Sequence, residues 1–138
     1  MKVHLIILLS FFSLKTLAQK TEDSQIIITL PDNTDLYRKT KIAMVNADFI
    51  VKENYNIDTL TTYSREFTNI QGHCIAVAVI KKNTVTISGF FSLKRIDWFG
   101  YTKSSVNFQK VIYFKGSKGW NLLMQIAEGI GGEISFAK

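Results

Sequence analysis

Residues 73–91 read His73-Cys74-Ile75-Ala76-Val77-Ala78-Val79-Ile80-Lys81-Lys82-Asn83-Thr84-Val85-Thr86-Ile87-Ser88-Gly89-Phe90-Phe91, and they decide the fold class. In the first half Ile75, Val77 and Val79 alternate with Cys74, Ala76 and Ala78, so both faces are apolar but differ in size. A strand apolar on both faces sits inside a sheet, and small side chains on one face let a helix approach closely. This segment is expected to be a central strand beneath a helix. Lys81-Lys82-Asn83 supplies a turn, after which Val85 and Ile87 alternate with Thr84, Thr86 and Ser88. A period of two on each side of a short polar turn predicts an antiparallel hairpin.

Upstream, Ile26-Ile27-Ile28-Thr29-Leu30 is a β-branched run that reads as a first strand ended by Pro31, after a polar start at 19–24 expected to fray. Asp32, Asn33, Thr34 and Asp35 offer N-caps for a helix over 34–46. Leu36, Lys39, Thr40, Ala43 and Met44 would fall near one face, with Arg38, Lys39 and Lys41 turned toward solvent or snorkelling at its edges. Residues 49–52 read as a strand, with the Thr- and Tyr-rich 57–67 stretch as its partner. Downstream, 93–105 is irregular and 106–115 regains β character. Ser117 is then placed to cap a helix whose stripe is Trp120, Leu123, Met124, Ala127 and Ile130, widened by Leu122 and Ile126. Gly129, Gly131 and Gly132 end or bend that helix, and 134–136 closes the chain as a short apolar segment.

The expected order is β-α-β-β-β-β-β-α. That is an α+β domain with a single antiparallel sheet of about five strands and two helices on one face. The pieces Leu36-Tyr37-Arg38-Lys39, Asp58-Thr59-Leu60-Thr61-Thr62, Ile87-Ser88-Gly89-Phe90-Phe91 and Lys115-Gly116-Ser117-Lys118-Gly119-Trp120 carry a resemblance. Together they resemble the small exported domains of unknown function found in Bacteroidota, which implies a helix-grip or TBP-like layout. The resemblance implies no catalytic residues.

Residues 1–18 read as an export signal. Lys2 is the positive start, Leu5 to Leu14 is an apolar run of about ten residues, and Thr16-Leu17-Ala18 offers small residues for cleavage between Ala18 and Gln19. Such a run is shorter than the roughly 20 residues that cross a bilayer. The expected product is one domain over 19–138, periplasmic or secreted, with no transmembrane span. Cleavage would remove Lys2, Lys15 and His4 and lower the formal charge from +6 to +4. That excess suits an anionic surface but lacks the clustering typical of nucleic-acid binding. One cysteine in 138 residues excludes an internal disulfide framework.

Chemistry-bearing constellations are sparse. His73-Cys74 joins a base to a nucleophile, but neighbours on a strand point to opposite faces and cannot form a dyad. One His and one Cys do not complete a zinc set, and no metal or other cofactor is expected. Gly116-Ser117-Lys118-Gly119 lacks the ending of a phosphate loop and reads as a capped turn. Large aromatics among cations in 94–103 suit a partner surface, which makes Lys94, Arg95, Trp98, Phe99, Tyr101 and Lys103 the candidate partner-binding residues. Burial of Trp98 and Phe99 against the core would leave that site empty. The expected function is a non-enzymatic envelope module that binds a protein, a glycan or an anionic surface. One alternative is a carrier of a small apolar ligand in a cavity lined by Met44, Trp120 and Met124. Another is a hydrolase, which would need two convergent carboxylates or His73 with a nucleophile.

Overall fold

The computed structural model describes residues 18–31, 35–53, 56–67, 72–93 and 107–138, and the backbone of 95–96 and 102–103. Its elements run β1 (Gln25–Thr29), α1 (Leu36–Asn46), β2 (Thr59–Thr61), β3 (Arg65–Glu66), β4 (Gly72–Lys81), β5 (Thr84–Leu93), β6 (Arg95–Ile96), β7 (Thr102–Lys103), β8 (Gln109–Lys110), α2 (Lys118–Ile130) and β9 (Glu133–Ala137). The domain is α+β, with a seven-stranded antiparallel sheet in the order β2-β4-β5-β1-β9. β3 pairs with β4, β8 pairs with β5, and β6–β7 form a separate two-stranded ribbon. The sheet is open.

The β4–β5 hairpin is the centre of this sheet, in unbroken register from Gly72↔Leu93 to Lys81↔Thr84. Lys82 takes a left-handed φ of 51° in the turn. Cys74, Ala76 and Ala78 on β4 and Val85 and Ile87 on β5 are fully buried on the helix side. Ile75, Val77 and Val79 on the opposite face are only half-buried. The size difference between the two faces of β4 therefore marks which face the helices take.

α1 lies over β4 and β5, and α2 over β5 and β1. A Cβ on Gly89 would stand 3.0 Å from both Leu123 methyls, so the glycine sets how near α2 comes to β5. Helix-to-helix approach is set the same way, with Ala43 Cβ 3.2 Å from the position a Cβ on Gly129 would take. Ser117 caps α2 by accepting from the Trp120 backbone N–H at 3.2 Å. Gly131 (φ 73°) and Gly132 (φ 107°) then turn the chain into β9. Trp120 is buried beside Tyr113 and Phe136, with ring centroids 5.6 and 6.0 Å away. Such burial contributes about 1.5–3 kcal/mol for a large apolar side chain.

Several expectations need correction. The 57–67 stretch is two short strands, β2 and β3, which pair with β4 on one side, while 61–63 also meets 50–52 on the other as expected. The 49–52 stretch makes a single bridge, Val51 to Thr62, beside hydrogen bonds from Lys52 N–H to Thr61 O and from Tyr63 N–H to Ile50 O. The apolar segment after α2 is a full strand, β9, paired with β1 through five residue pairs. The buried stripe of α1 is Leu36, Thr40, Ala43 and Met44, with Lys39 exposed at its edge. The start expected to fray is tied down. Ser24 N–H donates to Ala137 O at 2.8 Å, and Asp23 O accepts from Tyr113 N–H at 2.7 Å. The β run after 106 keeps only β8 as strand. The chain then leaves β5 and meets residues 22–23.

Candidate functional site

Of the expected partner-binding residues, Lys94, Trp98, Phe99 and Tyr101 lie outside the described residues. The backbone register places Arg95 directly opposite Lys103 in the β6–β7 ribbon. That ribbon begins two residues after Leu93, the last residue of β5.

Beside Leu93 the sheet overhangs the start of α2. β5 continues past the reach of a helix that begins at Lys118, so its last helix-side residues find no helix above them. The result is an apolar cleft of about 220 Å³ lined by Phe67, Phe91, Leu93 and Phe114, with the 116–119 turn as one wall. Leu93 is 54% exposed and Phe114 51% exposed, although both are large and apolar. Gly72 makes this closure possible, since a Cβ there would stand 2.8 Å from Ser92 O and 3.1 Å from the Phe67 ring. A second cleft of about 290 Å³ adjoins it, with Phe67 and Lys118 lining both. Arg65, Glu66, Asn121, Leu122 and Gln125 line the rest of the second cleft.

The cations of this groove differ in kind. Arg65 is held from behind, donating to Ala47 O at 2.8 Å and to the Asp48 carboxylate at 3.3 Å, with its guanidinium 5.6 Å from the Phe49 ring centroid. Lys118 is exposed at the lip. Ser117 spends its hydroxyl on capping α2. The groove is thus apolar at its floor, with exposed Lys118 at the lip of both clefts and Glu66 and the Asp48-paired Arg65 beside the second.

His73 and Cys74 leave β4 on opposite faces. Cys74 is fully buried, and burial pushes its thiol up to about 12, opposed by the nearby Arg65 charge. His73 is half-buried with Nε2 3.9 Å from the Glu66 carboxylate. Among the described residues, no group of three or more His, Cys, Asp or Glu side chains is placed to hold a metal ion. Met44 and Trp120 are fully buried in the core and Met124 packs against it, and neither cleft draws on any of the three.

Phe67, Phe91, Leu93, Phe114 and Arg65 carry no site signal in the sequence, and Lys118 stands there only within the 116–119 motif that reads as a capped turn. Each sits in a stretch with ordinary strand or cap character, and only the offset between sheet end and helix start exposes them. Among the described residues no helix is long and apolar enough to cross a membrane. No family model, curated protein or solved structure matches the chain.

Proposed function

We propose that the protein is an exported, non-enzymatic module that binds a macromolecular partner through the groove at the start of α2. The 94–103 segment, which springs from the same end of β5, would extend that surface. The observation that carries the reading is the pair of exposed apolar side chains, Leu93 and Phe114, around a cleft rimmed by Lys118. Exposed apolar clusters rimmed by polar groups mark interaction surfaces.

Taken by itself, the apolar cleft is sized for an anchoring side chain. Small-molecule sites run to roughly 300–1,000 Å³, and the apolar cleft holds about 220 Å³. One apolar side chain fits, and burying it contributes about 1.5–3 kcal/mol. Lys118 and Arg65, joined in sequence by Lys94, Arg95 and Lys103, favour acidic groups flanking that anchor.

A titration of the purified protein tests this, using two short peptides with one central phenylalanine flanked either by aspartates or by lysines. Amide NMR shifts are expected at Phe67, Phe91, Leu93 and 116–119 with the acidic peptide, and Phe114→Ser should weaken them. Shifts absent from those residues, or equal with both peptides, would overturn the reading.

A further inference from the structure

The two edges of the main sheet are finished differently. At the β2 edge the chain covers itself, because the 49–52 stretch bonds to Thr61 and Tyr63 and bridges Thr62. At the other edge, β9 pairs with β1 on one side and with no described residue on the other. Open edges are usually blunted by proline, bulges or charges placed within the strand. β9 has no proline, its register with β1 is continuous over all five pairs, and its charges stand at the ends, Glu133 within the strand and Lys138 just beyond it. Lys138 is held by Glu22 at 3.0 Å.

Ile134 and Phe136 lie opposite Ile28 and Ile26 and so face the helix side, where they pack on the core but stay half-exposed. Ser135 and Ala137 face the other way. This pattern is its own complement about Ser135. An antiparallel partner strand centred there sets Ile134 against Phe136 twice on the helix side and Glu133 against Ala137 on the other. Lys138 falls opposite Gly132, so no like charges oppose one another. Shifting the register by two toward the C-terminus sets Ile134 against Lys138, which disfavours that alternative.

We propose that β9 is a homodimer edge, pairing antiparallel with β9 of a second copy about a two-fold axis at Ser135 and joining two sheets into one. Helices of both copies then lie on the same side of the joined sheet, and the groove at the start of α2 remains open.

Cysteine cross-linking of the full chain tests the register. In this pairing residue 135 faces its own copy at a Cα separation of about 4.5–5.5 Å, within disulfide range. Residue 133 lies about 13 Å from its own copy, four strand positions away. Ser135→Cys is expected to form a disulfide dimer under mild oxidation and Glu133→Cys is not, while buried Cys74 stays out of the reaction. Sedimentation of the unmodified chain should give a dimer. A monomer by sedimentation, or equal cross-linking at 133 and 135, would overturn the proposal.

Discussion

Leu123 meets the sheet at Gly89, where its two methyl carbons lie 3.0 Å from the point a Cβ would occupy and Ile75 O lies 3.1 Å from it. Leu123 is fully buried and the third neighbour is backbone, so neither can yield freely. Gly89→Ala is expected to destabilise the fold by about 1–3 kcal/mol, and Gly89→Val by more. Urea unfolding followed by circular dichroism checks both, and an unchanged midpoint would show that α2 does not set its distance this way.

Thr62 replaces a missing ladder partner. The chain leaves regular pairing between β2 and β3, and the buried Thr62 hydroxyl accepts from Ala76 N–H at 3.0 Å. Thr62→Val keeps the shape and strands that N–H, at a cost of about 1–3 kcal/mol. Thr62→Ser should recover most of the loss, and equal stability of the Val and Ser variants would remove the hydroxyl from the account.

The central hairpin was legible because its information is local. Alternation of Cys74, Ala76 and Ala78 with Ile75, Val77 and Val79 names two faces, and the smaller face is the one on the helix side, where α1 reaches β4. Ser117 as cap and the glycines after Ile130 were legible for the same reason. The fate of 49–67 was legible only in part. Residues 61–63 do meet 50–52, but the pairing of 59–61 and 65–66 with β4, which buries Leu60, is made across the sheet. β9 was underread because its partner β1 lies more than a hundred residues away in sequence. The groove was illegible because an overhang between a sheet and a helix is a difference between two element ends, with no residue pattern of its own.

Cys74 predicts an alkaline limb in stability. Its folded thiol is raised to about 12 by burial, whereas the unfolded thiol ionises near 9.0. The stabilisation is complete below pH 9 and is lost as the pH climbs toward 12, because only the unfolded chain releases the proton. At pH 10.5 the loss is about 1–2 kcal/mol relative to pH 8. Cys74→Ala should show a shallower fall over that interval, and matching falls in both proteins would contradict the assignment.

Export predicts a defined mature end. Mass spectrometry of the protein recovered from its native host should find Gln19 as the first residue. Glu22 and Asp23, which bond to the Tyr113 backbone, and Ser24, which bonds to Ala137 O, lie downstream of that cut. Met1 retained on the folded product would contradict export.

Photocrosslinking in the native host tests the proposed groove most directly. A benzophenone side chain placed at Phe114 or Leu93 should yield a discrete cross-linked species that Lys118→Glu weakens. The same probe at Ile57, which is 77% exposed and lines neither groove cleft, should yield none. A species absent from positions 93 and 114, or formed equally from position 57, would contradict binding through this groove.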